Sequence, residues 1–246
     1  MKTINKRLMI CVLSALSLKA WGSGLVTVVG HRPQHNVVVA SDLAQLVTTP
    51  LLMNNTWWPG AIIATPAATL SAQLEQQQVL EQLTRWEQKA NDRQSATVRA
   101  VREQLQSMKV TGRHFVSLDP DVVRTKEGAN PRLEGTYTLY IVPRAQTVTV
   151  VGAVSNGGEQ PWRPGTPVSH YLKGLHQLAG ADKNYVTIVH PDGESEIAPV
   201  AYWNAQDREV EPGSVLWVGF SPAMLPEAFV QLNQQISSLL TKRVAQ

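Results

Sequence analysis

The stretch from Pro66 to Met108 constrains this chain more than any other. It is dense in Gln, Glu, Ala, Leu and Arg, which favour helix, and it lies between two stretches patterned like strands. Leu70, Leu74, Leu80 and Leu83 fall near helical spacing. Val98, Val101, Leu105 and Met108 repeat at three, four and three residues. Asn91-Asp92 marks a turn between the halves. The pattern predicts a hairpin of two antiparallel helices, each with one apolar face. Such a face is not stable in water and must pack on a neighbour. The neighbour is either the rest of this chain or a coiled-coil partner helix.

On either side the strand signals come in two similar cycles. In the first, Gly24–Val29 and Val37–Val39 are β-branched runs separated by Gly30, Pro33 and Asn36, which reads as a β-hairpin. Ser41 is placed as the N-cap of a short helix over residues 42–47, with Pro50 as its stop. Strands are predicted at Phe115–Leu118 and Thr136–Val142, joined by a loop containing Pro120, Gly128, Asn130 and Pro131. Pro143-Arg144-Ala145 reads as a linker.

The second cycle predicts a strand at Thr147–Val151 and turns from Asn156 to Pro167. A short helix over Val168–Leu175 and a strand at Tyr185–Val189 follow. Asp192-Gly193 is a hairpin signal, Ile197–Tyr202 is the return strand, and Val215–Phe220 closes the sheet. From about Pro226 an amphipathic helix carries Phe229, Leu232, Ile236, Leu239 and Leu240 on one face. Burying each large apolar side chain is worth about 1.5–3 kcal/mol, so that face docks on the protein or inserts into a partner or membrane. With Lys242 and Arg243 as its only cations, it fits docking better than a basic interfacial helix.

The reading is an α+β chain of tandem β-grasp (ubiquitin-like) domains. The first covers residues 23–144, with the helical hairpin inserted at about 66–108. The second covers 145–222, and a C-terminal amphipathic helix covers 223–246.

Residues 1–22 carry the three parts of a secretory signal peptide. Lys2, Lys6 and Arg7 open it, an apolar run from Leu8 to Leu18 is too short to span a bilayer, and Ala20-Trp21-Gly22 resembles a cleavage site. Cleavage is expected after Gly22, which would place the protein in the periplasm without a transmembrane segment. Four of the 22 Lys and Arg residues lie in that segment and none of the 19 Asp and Glu residues does, leaving 18 bases against 19 acids. Nucleic acid is not an expected partner, because phosphate binding needs a concentrated basic surface. The single cysteine, Cys11, leaves with the signal, which removes disulfides and thiolate chemistry.

Candidate functional residues each have a plainer reading beside the chemical one. Arg113, just after Gly112, can offer a planar fork of donors to a carboxylate or a partner's backbone, or join the hairpin to a sheet. Trp57 and Trp58 can stack on sugar faces, or pack in the core. Asp119 and Asp121 have the composition of a glycosidase pair, but Pro120 between them makes a turn where Asp caps backbone N–H groups. His31 and His35 are four apart, but in a loop without an acidic ligand nearby. No metal or cofactor is expected. No Gly-x-Ser-x-Gly elbow or phosphate loop is present.

The string VTVVGAVSNGGEQPWRPGTPVSHYL, followed by LAGADKNYVTIVHPDGESEIAPV and VEPGSVLWVGF, resembles the soluble-ligand-binding β-grasp (SLBB) domains of polysaccharide export proteins. Ser214 stands where many of those domains have Asp. More narrowly, the chain resembles the GfcC-like capsule biosynthesis family. The strings that carry the resemblance are TWWPGAII (56–63), KVTGRHFVSLDPDVVR (109–124), NPRLEGTYTLYIV (130–142), LAGADKN (178–184), PDG…APVAYWN (191–204) and EPGSVLWVGF (211–220). The resemblance implies a non-enzymatic periplasmic component of surface polysaccharide assembly and export. Its partners would be the polysaccharide, outer-membrane export proteins, or both. It also maps the family's characteristic arginine to Arg113. The binding residues expected on these grounds are Arg113, Trp57, Trp58, Asp119 and Arg124. Two other classes stay open. One is a polysaccharide-modifying enzyme drawing on Arg113 with Asp119, Asp121 or Glu134. The other is a structural module that oligomerises once its tail helix is released.

Overall fold

The computed structural model describes residues 22–30, 36–53 and 56–244. The expected signal segment up to Trp21, with Cys11, and the pair His31 and His35 lie outside the described residues. In chain order the elements begin with β1 (Gly24–Val29), β2 (Asn36–Ala40), α1 (Leu43–Val47), α2 (Pro50–Met53) and β3 (Ile62–Ala64). They continue with α3 (Pro66–Glu87), α4 (Asp92–Ser107), α5 (Pro120–Thr125) and β4 (Thr136–Tyr140). Then come β5 (Thr147–Gly152), β6 (Val154–Ser155), β7 (Gly158–Pro161), α6 (Val168–Tyr171) and β8 (His176–Gln177). The last are β9 (Tyr185–Val189), β10 (Ser195–Pro199), β11 (Val215–Val218) and α7 (Leu232–Thr241).

The chain is α+β, with two mixed sheets. The first runs β2-β1-β4-β3, with β1 and β4 parallel at its centre. The second runs β10-β9-β11-β5-β7, with β5 and β11 parallel. In each sheet the opening and closing strands of the cycle form the central parallel pair, and the opening strand carries an antiparallel neighbour, β2 on β1 and β7 on β5.

Local chemistry sets the helix ends. Thr65 caps α3 by accepting from the Ala68 amide, with Pro66 at the first helical position, where its missing N–H costs nothing. Asn91 accepts from the Gln94 amide and starts α4. The two helices are tied by Glu87, which receives Nε–H donations from Arg99 at 2.6 Å and Arg102 at 3.1 Å.

The hairpin leaves the first sheet but buries its apolar face in the second. Val79, Leu83, Trp86, Val98, Val101 and Leu105 share one core with Val150, Ile188, Leu216, Trp217 and Phe220. Gln104 locks the contact from both sides: its Oε1 accepts the Gly152 amide at 2.8 Å, and its Nε2 donates to the Gly152 carbonyl at 3.2 Å. Helix α7 completes this core with Leu232, Ile236 and Leu240. Asn233 of α7 holds the exit of β11 in the same way, accepting the Phe220 amide at 2.9 Å and donating to its carbonyl at 2.6 Å. The first sheet has a separate core around Val26, Leu43, Leu46, Leu52, Ile63 and Leu139.

Several expectations are corrected. Asp42, not Ser41, is the N-cap of α1, and Pro50 starts α2 instead of ending structure. Phe115–Leu118 is not a strand; residues 115–117 are exposed and pair with no sheet. The loop that follows contains a helix, α5. Strands β3 and β7 were not expected. Helix α6 spans a single turn, and α7 begins at Leu232 after a 3-10 turn at Glu227–Phe229. Leu70 and Leu74, at helical spacing in the sequence, are exposed on α3; its buried positions are Ala72, Val79, Leu83 and Trp86.

Candidate functional site

Residues 109–114 form a strap that three parts of the molecule share. His114 N–H donates to the Ile63 carbonyl, and Arg113 pairs with Ala64 at the edge of the first sheet. On the other side the chain end joins it. Val110 pairs with Arg243, Thr111 N–H donates to the Lys242 carbonyl at 2.9 Å, and Val244 N–H donates to the Lys109 carbonyl at 2.9 Å. Gly112 lets the strap press on the start of α3. A Cβ there would lie 2.2 Å from the Ala68 carbonyl carbon and 2.3 Å from the Thr69 nitrogen. Gly112→Ala must therefore push two backbone segments apart. It is expected to destabilise the protein by about 1–3 kcal/mol, the usual cost of overpacking, measurable by urea unfolding.

Beside the strap, between the two sheets, lies a cavity of about 590 Å³. Arg113 reaches across it, and its Nη2 donates to the Pro191 carbonyl at 3.0 Å in the β9–β10 turn. That turn accepts the arginine because residue 193 is glycine: it has φ +93°, and a Cβ would sit 2.7 Å from Arg113 Cδ. Arg243 enters from the chain end, and its Nη2 donates to the Gly213 carbonyl. The Nε of each arginine is buried, with no hydrogen-bond partner among the described residues. Burial, and secondarily the charge of Arg243, pulls the Arg113 guanidinium down to about 10, with Asp192 pulling the other way. Burial alone brings Arg243 down to about 10. Both are charged at neutral pH, so the cost of burying them is carried in full there.

Trp57 lies in the same cavity and bridges the two halves. A Cβ on Gly60 would be 2.4 Å from its ring, and one on Gly213 would be 2.7 Å away. Lys109 also lines the cavity, its Nζ 5.2 Å from the centre of the Tyr140 ring. His190 lies between Glu196 at 3.6 Å and Glu211 at 3.7 Å on the same wall.

The five expected binding residues thus separate. Arg113 and Trp57 meet in the cavity. Trp58 packs against the first core instead. Asp119 and Arg124 lie on α5 and are exposed. Asp119 spends its carboxylate as the α5 N-cap, accepting from the amides of Asp121 at 2.8 Å and Val122 at 3.4 Å. Glu134 and Asp121 are exposed and do not line the cavity. Among the described residues no group of His, Cys, Asp and Glu is arranged to hold a metal ion, and no helix is long and apolar enough to cross a membrane. Sequence reasoning missed Lys109 and Arg243. Arg243 follows the last apolar position of an amphipathic helix, where a cation normally points to water, and only the pairing with Val110 turns it inward.

Two family models cover most of the chain. Residues 23–144 match "Capsule biosynthesis GfcC, N-terminal", and residues 156–245 match "Capsule biosynthesis GfcC C-terminal". Among curated proteins, the "Uncharacterized protein YjbG" of Escherichia coli strain K12 is 39% identical over 245 residues, which is 99% of this chain and 100% of that protein. On both counts the chain belongs to the GfcC capsule biosynthesis family.

Proposed function

We propose that this protein is a periplasmic, non-enzymatic component of surface polysaccharide assembly and export, and that it works by binding glycan or export proteins in the cavity between its two sheets. Membership of a capsule biosynthesis family supports a role in capsule or polysaccharide assembly. The observation that carries the binding mode is the junction itself. Arg113 from the strap, Trp57 from the first half, Pro191 and Gly213 from the second and Arg243 from the chain end converge on one concave surface. An aromatic face beside guanidinium donors suits a sugar ring carrying polar or acidic groups.

In this reading each sheet is a β-grasp unit, supported by the shared plan of a central parallel pair with an antiparallel neighbour. The domains run from 23 to 144 and from 145 to 222, with the signal segment removed on export. Hairpin and tail then act as braces that fix the angle between the units and keep the cavity walls in place. Trp58, Asp119 and Arg124 lie outside the cavity and take no part in this binding mode.

The test is surface polysaccharide in a strain lacking the gene, restored with the natural protein or with Arg113→Ala at matched protein levels. The natural protein is expected to restore the polysaccharide and Arg113→Ala to fail while remaining folded. Unchanged polysaccharide in the deletion strain would remove the export role. Full restoration by Arg113→Ala would reduce Arg113 to a structural tie.

A further inference from the structure

Two guanidinium groups from distant parts of the chain share the cavity, and among the described residues no carboxylate is hydrogen-bonded to either; Asp192 acts on Arg113 through its charge alone. Of the five N–H donors that each carries, one on Arg113 is given to the Pro191 carbonyl and one on Arg243 to the Gly213 carbonyl. The Nε of both is shut away from water and has no partner among the described residues. Lys109 and Arg144 add positive charge to the same walls, and Glu159 is the one carboxylate-bearing residue among those that line it. Buried donors without partners are rare in folded proteins, and a buried cation is normally paired. A stability argument gives no reason to keep two such groups together, because a neutral side chain of the same length would avoid the cost.

The arginines also differ in how they are held. Arg113 sits on the strap, fixed to the first sheet through Ala64 and to the β9–β10 turn through Pro191. Arg243 is held only while the chain end pairs with residues 109–111, since the Val110, Thr111 and Lys109 backbone contacts place it.

We propose that Arg113 and Arg243 form a divided oxyanion site, for the carboxylate of an acidic sugar or a phosphate group, complete only with the tail docked. This rests on the reading of the cavity as the binding site and names the chemistry of its occupant. An oxyanion held between the two arginines accepts from their remaining Nη–H donors and offsets the repulsion between them. It also gains an effect at a distance: a ligand that uses Arg243 favours the docked tail over the released one by whatever it gains there.

The test uses the purified mature chain at low ionic strength, titrated with sodium glucuronate, sodium phosphate, and glucose with matched sodium chloride. Thermal unfolding, thermolysin cleavage within the tail, and the Nε–H resonances of 15N-arginine are followed together. The site predicts a saturable rise in Tm of about 5–10 °C at a hundredfold the dissociation constant. It also predicts slower cleavage of the tail and shifts confined to two arginine Nε–H signals, with none of these from glucose. Arg113→Gln and Arg243→Gln should each abolish the rise. Arg243→Lys, which keeps the charge but not the fork, should bind at least tenfold more weakly. A larger effect of glucuronate identifies an acidic glycan as the source, and a larger effect of phosphate identifies a phosphorylated one. The proposal is overturned if neither anion gives a saturable rise, if Arg243→Gln responds like the natural protein, or if no arginine Nε–H signal moves. Should the anions fail while Arg113→Ala still cannot restore surface polysaccharide, only the oxyanion assignment falls. Full restoration by Arg113→Ala, in contrast, removes the cavity reading beneath it.

Discussion

Trp86→Ala is expected to cost about 3–5 kcal/mol of stability, the range for emptying a buried tryptophan site, and to lower Tm by about 6–20 °C for a chain of this size. Trp86 lies near the end of α3, in sequence part of the stretch between two strands of the first sheet. Its ring is 3% exposed and meets the Phe220 ring edge-on at 4.7 Å, with Phe229 at 6.4 Å. The core it belongs to is built from the hairpin, the second sheet with its connecting segments, and the tail. The loss should therefore appear where the cavity is made. Hydrogen exchange should show the amides of β9 and β11 losing protection while those of β1 and β4 keep theirs. Leu70→Ala on the exposed side of the same helix is the control, with a change within about 0.5 kcal/mol. If Trp86→Ala costs less than about 1 kcal/mol, or if β1 and β4 open first, the hairpin is not part of the second core.

That arrangement explains what could be read in the sequence. The hairpin's limits were legible because they are local chemistry: Thr65 before Pro66, Asn91 as a cap, and helix formers between. Its destination was not, because an amphipathic face states that it needs a partner and not which one. Leu70 and Leu74 show the same limit. They keep the helical rhythm, yet the second sheet meets α3 along Val79, Leu83 and Trp86. Strand β7 reads Gly-Glu-Gln-Pro and has no strand propensity; its pairing with β5 makes it a strand. Leu-Asp-Pro-Asp has the pattern of a turn, yet the capping chemistry behind that pattern starts α5. At the site, Arg113 and Trp57 stood out by residue type and motif, whereas Trp58 carries the same side chain one position on and faces the core. Arg243 carried no local mark at all. Its role depends on a backbone pairing with Val110, far away in sequence.

Ile236→Asp should release the tail and dismantle one half of the site. Ile236 is fully buried among residues of the second core, on a helix that lies against α3 and β9. Removing its side chain costs about 2–5 kcal/mol, and a carboxylate in its place would be buried without a partner, which costs more. The chain avoids the second cost by undocking α7, so the loss is limited to the tail's docking energy, which four buried aliphatic side chains supply against the entropy of ordering the segment. Undocking also withdraws Arg243 from the cavity and frees Thr111 N–H and the Lys109 carbonyl. Thermolysin should then cut between Leu232 and Leu240 in minutes where the natural protein resists, and glucuronate should no longer raise Tm. Light scattering across a hundredfold range of concentration separates the remaining readings. Concentration-dependent association of Ile236→Asp would mean that the uncovered surface seeks a second copy, as an assembly module requires. A monomer with a cut tail would make α7 a brace for the cavity. A tail that stays protected, with Tm within about 2 °C of the natural protein, would contradict both, since either role needs Ile236 to hold α7 in place.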